Sequence, residues 1–197
     1  MKKALAVVAH PDDETIWMGG TILKNKNWEW TIVALCRGGD EDRAPKFEKA
    51  CKEYNARAII SNLDDEKLDS IPIEEVIKKI KSIVPKNNYD FIFTHGENGE
   101  YGHIRHKEVH VAVKKMVKDK ELKSKENYYF CYIPGNVNAP HDNQLKIPIP
   151  NIKSDYIIEL NKEEFKRKFL IITKLYGFSH PNFETLSCSK MEAFSKF

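Results

Sequence analysis

Apolar and polar positions in the first half of the chain follow one repeated pattern. Residues 4–9, Ala-Leu-Ala-Val-Val-Ala, are a continuous run of small and β-branched residues closed by Pro11, the pattern of a buried strand. Helical spacing follows over residues 14–27, with Ile16, Trp17 and Leu23 apolar and Gly19-Gly20 inside. That glycine pair costs roughly 2 kcal/mol of helix propensity, which implies a close approach to the sheet or to a ligand. Trp17 and Met18 read equally well as core or as pocket wall. The pattern then gives a strand over 30–36, a helix over 47–55 and a strand over 58–61. An acidic loop over 62–70 leads to Pro72, which starts a helix running to 84, and to a strand over 90–94 that ends in His95. A further helix spans 103–118.

Strand, loop and helix repeated in this way predict parallel βαβ units with right-handed crossovers. Beyond residue 118 the pattern loosens. A strand is expected over 128–133, a long loop over 134–150 because it holds four prolines, a strand over 155–160 and a closing helix over 162–176. The fold class expected is therefore α/β: a Rossmann-like, mostly parallel sheet flanked by helices, with an additional C-terminal strand and helix region. Nothing in 1–197 reads as a repeat, a low-complexity tract or a long linker, so one domain is expected.

Parallel sheets place their sites in the crevice at the carboxyl ends of the strands. Three loops fall there, 10–14, 37–40 and 95–106, and all three carry reactive side chains. His10-Pro11-Asp12-Asp13-Glu14 is the richest. Pro11 fixes one backbone angle and keeps His10 extended, so the turn is stiff. A His and an Asp three residues apart in such a turn can grip one zinc ion from two sides, leaving a second Asp to take a proton. Helix capping would account for one of these acids, not for His-Pro ahead of three. The 95–110 stretch holds four of the seven histidines, His95, His103, His106 and His110, with glycines at 96, 99 and 102. Positions 103, 106 and 110 share a helical face. A His-Glu-x-x-His metalloprotease motif at 106–110 fails, because Lys107 stands where the glutamate must be.

Composition narrows the class. With 197 residues, 41% hydrophobic and 31% charged, the chain is that of a globular protein able to bury about 70% of its unfolded surface. The net charge is +3 and the lysines are scattered, which argues against a nucleic-acid surface. Cys36, Cys51, Cys131 and Cys188 are far apart and form no CxxC pair, so neither a disulfide framework nor a thiolate zinc site is expected. The N-terminal apolar run is too short for a signal segment, and no stretch approaches the roughly 20 residues of a membrane helix. A cytoplasmic protein with no membrane span is expected, and the sequence is compatible with a homo-oligomer.

Residues 9–14 together with His103-x-x-His106 resemble the two signature motifs of the LmbE-like (PIG-L) zinc deacetylases, which include the de-N-acetylase of N-acetylglucosaminyl-phosphatidylinositol. The resemblance covers roughly residues 3–118. It implies that His10, Asp13 and His106 hold the metal, Zn2+ or another divalent ion such as Fe2+. It also implies that Asp12 is the general base and that His103 stabilises or protonates the tetrahedral intermediate. Tyr101 matches a tyrosine that stabilises the oxyanion in some members, and Arg37 resembles an arginine that contacts substrate. The expected reaction is removal of an N-acetyl group from an amino sugar of the N-acetylglucosamine type or its conjugate. A zinc amidase on a non-sugar N-acyl substrate and a non-catalytic sugar-binding relative are the alternatives. Intact Asp12 and ligand positions argue against the latter, and the absence of Gly-x-Gly-x-x-Gly after the first strand argues against a nucleotide-binding domain.

One departure stands out. Relatives often read His-Pro-Asp-His, where this chain has His103-Ile104-Arg105-His106. Arg105, near a helix start, is expected to point into solvent. His95 and His110 are expected to pack or to support the site rather than ligate, and His141 and His180 fall in the less regular C-terminal half with no assigned role. The recognition loops, 37–45, 62–70 and 134–150, carry no readable substrate code.

Overall fold

The computed structural model describes residues 1–67, 69–86, 88–140 and 142–197. Its framework is a seven-stranded sheet in the order β3-β2-β1-β4-β5-β9-β8. The first five strands are β1 (Lys3–Val8), β2 (Glu29–Cys36), β3 (Ala56–Leu63), β4 (Asn88–Thr94) and β5 (Lys123–Phe130). They pair in parallel. Helices α1 (Asp13–Lys24), α2 (Arg43–Glu53), α3 (Ile73–Ile83) and α5 (Ile104–Lys118) connect them, with a four-residue turn of helix, α4 (Gly99–Gly102), ahead of α5.

The apolar run of β1 shows why the strands are continuous rather than alternating. Ala4, Ala6 and Val8 enter one core with Trp17, Met18 and Phe47, while Leu5, Val7 and Ala9 enter a second with Val76, Ile80 and Val113. Both faces of the sheet are covered, so both sets of side chains must be apolar. The glycine pair in α1 is explained by contact. A Cβ on Gly20 would stand 2.3 Å from a methyl of Leu160, and one on Gly19 would stand 2.8 Å from the Tyr54 hydroxyl.

The C-terminal third differs from the sequence expectation in three places. Where a loop was expected over 134–150, the described residues form a separate two-stranded ribbon: β6 (Tyr132–Ala139) pairs antiparallel with β7 (Asp142–Pro150). Pro134 faces Pro148 and Tyr132 faces Pro150 in this ribbon, where a missing N–H costs little because no third strand follows. The run expected as one strand over 128–133 is divided at Cys131, where the chain leaves the sheet. The last strand was not visible in the pattern. β9 (Met191–Lys196) inserts antiparallel between β5 and β8 (Tyr156–Glu159) and buries Ala193 and Phe194. The closing helix spans 162–175 as α6 (Lys162–Leu170) and a π-helical turn over Ile171–Leu175, and α7 (Phe183–Ser187) follows. His141 lies outside the described residues. Among the described residues no helix is long and apolar enough to cross a membrane.

The strand order reverses direction beside β1. Val7 pairs with Val33 on one side and Thr94 on the other, so the loops after β1 and β4 leave the sheet next to each other. This is the crevice where open α/β sheets bind ligands.

Candidate active site

The loop after β1 makes its turn at Asp12, whose φ of 105° is rare for a residue with a side chain. Its carbonyl accepts from Thr15 and Ile16 N–H at 2.9 Å and starts α1, yet its carboxylate caps nothing in that helix. Glu14 turns away from the crevice. Its carboxylate accepts from Thr15 Oγ1 at 2.5 Å, Tyr176 Oη at 2.8 Å and the Asp12 N–H at 3.1 Å, and burial raises its pKa to about 7. Asp13 is held on both oxygens: Oδ1 accepts from Trp17 Nε1 at 2.9 Å and Oδ2 from the His10 N–H at 2.8 Å. Trp17 is thus core and site support at once.

The three residues expected to hold a metal converge. His10 Nδ1 lies 3.2 Å from His106 Nε2 and 3.3 Å from Asp13 Oδ2, and the last two are 3.4 Å apart. A tetrahedral ion with bonds of roughly 2.0–2.1 Å has ligand–ligand edges of about 3.3–3.4 Å. One triangular face of such a polyhedron is therefore already built, and its donor set of two imidazoles and a carboxylate suits zinc or a similar divalent ion. The surroundings call for positive charge at this place. Burial works against the His10 cation, but Asp13 on one side and Asp65 on the other outweigh it and raise its pKa to about 10.

His95 is adjacent, with Nε2 3.4 Å from Asp13 Oδ2. That nitrogen accepts the Ala9 N–H at 2.9 Å, so its lone pair is used and its proton resides on Nδ1, 2.9 Å from Glu100 Oε2. His95 is fully buried and stacks on the His106 ring, with centroids 3.8 Å apart. His110 bonds the His95 carbonyl at 2.8 Å and packs against Tyr129 and Phe197.

Around this centre lies a cavity of about 250 Å3, lined among others by Asp12, Trp17, Arg43, Tyr101, His103 and Phe183. The His103 ring lies 4.8 Å from the rings of both His10 and His106. Burial and then the neighbouring His106 and His10 lower its pKa to about 3, so it is a neutral imidazole at pH 7. Tyr101 packs on Phe183, His106 and His103. Asp12 Oδ2 accepts from Arg43 Nη1 at 2.6 Å, and the Arg43 guanidinium lies over the Phe178 ring at 4.8 Å. Burial and the neighbouring Asp13 push the Asp12 carboxyl well above the usual range against the pull of Arg43. Arg37 Nε and Nη2 bond Asp65 Oδ2 at 3.1 and 2.9 Å, so its charge is partly spent within the protein. A second cavity of about 510 Å3 shares Arg37, Asp40 and Asp65 with the first and adds Asp64 and Glu66.

Arg105 contradicts expectation. It is fully buried, not solvated: Nε donates to the Asp64 carbonyl at 2.5 Å and Nη1 to Glu108 Oε2 at 2.7 Å. Glu108 in turn accepts the Ile71 N–H at 2.7 Å, so α5 grips both ends of the acidic loop. The guanidinium points toward that loop from the first turn of α5, which begins at Ile104. Sequence reading missed Asp65, whose only signal was its place in the loop after β3, Arg43, which opens α2 after β2, and Glu100, which lay within the histidine stretch without an assigned role. His180 bonds Thr185 and packs on Phe169, away from the cavity lining.

Comparison with known proteins agrees with the geometry. The chain is 22% identical over 151 residues to an uncharacterized protein of Acanthamoeba polyphaga mimivirus, covering 68% of this chain and 64% of that relative. The chain thus matches a little under two thirds of that relative's length. Among solved structures it resembles the N,N'-diacetylchitobiose deacetylase of Pyrococcus horikoshii with a TM-score of 0.69 and 18% identity, over 100% of this chain and 84% of that one. A deacetylase of teicoplanin biosynthesis gives 0.67 and 14%, over 89% and 84%. The 4-carboxy-2-hydroxymuconate hydratase of Pseudomonas putida gives 0.65 and 14%, over 100% and 96%, so these likenesses speak for the fold alone. The sequence profile of the PIG-L family, described as GlcNAc-PI de-N-acetylase, matches residues 5–117, more than half of the chain and both halves of the site. The chain belongs to the PIG-L family.

Proposed function

We propose that this protein is a metal-dependent N-deacetylase that removes the acetyl group from an N-acetylated amino sugar of the N-acetylglucosamine type or its conjugate. The observation that carries the reading is the triangle of His10 Nδ1, Asp13 Oδ2 and His106 Nε2, 3.2–3.4 Å on a side, beside a cavity that His10, Asp12 and Asp13 line. A divalent ion held by these three residues, zinc by its ligand set, polarises an amide carbonyl and makes water more acidic.

The chain's own groups do the rest. Asp12 accepts the proton of the attacking water and returns it to the nitrogen as the C–N bond breaks, so acetate and the free amine leave. Arg43 holds Asp12 on one oxygen and fixes its direction. The negative charge that develops on the carbonyl oxygen needs donors: neutral His103 and the Tyr101 hydroxyl line the cavity beside the metal triangle. Arg37, Arg43 and Asp65 line the same cavity and would supply the groups that bond sugar hydroxyls. The cavity of about 250 Å3 suits a single small moiety, and the adjoining acid-lined lobe receives the remainder of a conjugate, favouring a neutral or cationic one over a phosphodiester.

Acetate release from a panel of neutral, cationic and phosphodiester N-acetylglucosamine conjugates, with bound metal measured in parallel, tests this. The expected result is one divalent ion per chain and turnover that a chelator abolishes. Turnover unaffected by complete metal removal, or none on any N-acetyl sugar with one metal bound, refutes the reading.

A further inference from the structure

Every hydrogen bond around Glu100 converges on one outcome. Its carboxylate is fully buried and receives three N–H donors. His106 Nδ1 lies 2.5 Å and His95 Nδ1 2.9 Å from Oε2, and the Gly96 N–H lies 2.6 Å from Oε1. The backbone is bent to achieve this: Glu100 adopts φ 57° and ψ −54°, a region that costs a residue with a side chain about 1–3 kcal/mol. Such strain persists only where the surroundings over-determine it, and the three bonds to the carboxylate do so.

The histidine protons can be assigned from these contacts once Glu100 is ionised, and His95 and His106 hold its carboxyl below the ordinary range against the effect of burial. The Ala9 N–H donates into His95 Nε2, so His95 must carry its proton on Nδ1 and give it to Glu100. An ionised carboxylate has no proton to offer, so His106 must also donate from Nδ1. Its Nε2 is then a bare lone pair, and that is the nitrogen standing 3.2 Å from His10 Nδ1 and 3.4 Å from Asp13 Oδ2. The opposite tautomer would put a hydrogen into the centre of the triangle.

We propose that Glu100 is a positioning residue that locks His106 in the Nδ1–H tautomer, and thereby sets the affinity of the site for its divalent ion. This rests on the reading of His10, Asp13 and His106 as metal ligands. The same carboxylate ties the loop after β1, through Ala9 and His95, to the start of α5, through His106. The two halves of the site therefore keep their spacing when no ion bridges them.

Glu100→Gln tests this with almost no change of shape. A carboxamide has one acceptor oxygen where three N–H groups now converge, so one donor must face another. With the amide oxygen kept toward the Gly96 N–H, the NH2 faces both imidazoles; Ala9 prevents His95 from moving its proton to Nε2, and His106 has no such restraint. The expected result is a Zn2+ affinity lower by about 10–100-fold, read by competition with a chromophoric chelator. In the metal-free variant, two-bond 1H–15N spectra of the histidines should show the His106 proton moved toward Nε2. A merely structural role would change the melting temperature and leave the tautomer alone. Wild-type protein that binds no stoichiometric Zn2+ overturns the ligand reading itself. Wild-type binding with unchanged affinity in Glu100→Gln overturns the role of Glu100 alone. So does a metal-free wild-type spectrum with the His106 proton on Nε2, a measurement that needs no variant to fold.

Discussion

Replacing Arg105 with Asp separates two views of the first turn of α5. For a solvated residue the change is slightly favourable, since an acid near a helix N-terminus gains about 0.3–1 kcal/mol from the amide dipoles. The structure gives the opposite sign. Arg105 is fully buried, and its Nη1 is the cation 2.7 Å from Glu108 Oε2, a side chain itself only 7% exposed. Removing one partner of a buried pair leaves an uncompensated charge and costs about 3–5 kcal/mol. The new aspartate adds a second negative charge beside the first and abandons the Asp64 carbonyl. Burial outweighs the dipole several-fold. For a chain of this length each kcal/mol moves the melting temperature by roughly 2–4 °C, so Arg105→Asp should melt some 6–20 °C below wild type. Calorimetry or circular dichroism measures this directly. Arg105→Met combined with Glu108→Leu should recover much of the loss, because replacing both members of a buried pair by apolar groups is often neutral. A melting temperature within about 1 °C of wild type in Arg105→Asp would falsify the buried assignment.

Asp12→Asn should retain metal and fold but lower kcat by about a hundredfold or more, a general-base contribution of ordinary size, and unchanged turnover would remove Asp12 from that role. Metal binding must displace the proton that Asp13 and Asp65 hold on His10, whose pKa lies at about 10. Apparent Zn2+ affinity should therefore rise by about tenfold or more per pH unit between about pH 6 and 8, and a flat profile would contradict the arrangement. The sign for the metal-free fold is the reverse: a raised folded pKa stabilises fully below the unfolded value of 6.5 and loses its effect as pH climbs toward 10, which urea titrations at several pH values would reveal. Gly20→Ala gains about 1 kcal/mol of helix propensity but places a Cβ 2.3 Å from Leu160, so a net loss of stability of up to about 2 kcal/mol is expected by thermal melting, and a gain would show that the contact is slack.

The parallel half of the fold was legible chiefly because β1 and β2 are buried on both faces and announce themselves as nearly unbroken apolar runs, whereas β5, with Lys123, Lys125 and Glu126 in its first half, was expected only from residue 128. β9 was not, since Met191–Lys196 sets only two adjacent apolar residues, Ala193 and Phe194, between Glu192 and Ser195. Glu192 is buried only because Lys168 sits 2.7 Å away and because Gly20 and Thr21 donate their N–H groups to it. Those partners lie 24 and more than 170 positions distant, beyond any local pattern. The ribbon over β6 and β7 was hidden for a different reason: prolines that forbid a central strand are harmless in an isolated pair.

The site was legible in the same uneven way. Side chains that face the crevice came from two short motifs, and His10, Asp13 and His106, the set that the family resemblance implied, lie 3.2–3.4 Å from one another. Groups standing behind them were invisible, because an acid gains its role from what it touches. Asp65 and Glu100 look like two of the chain's many carboxylates until the fold sets one 3.2 Å from His10 Nε2 and the other 2.5 Å from His106 Nδ1. Arg105 belongs to this hidden layer. Its bond to the Asp64 carbonyl fixes the residue next to Asp65, so a side chain that never enters the crevice bears on the direction of His10. The departure from the His-Pro-Asp-His pattern is therefore carried by the loop that Arg105 anchors, and that loop also walls the acid-lined lobe with Asp64, Asp65 and Glu66. One substitution near a helix start thus ties loop position, histidine orientation and the charge that a substrate meets to a single buried ion pair.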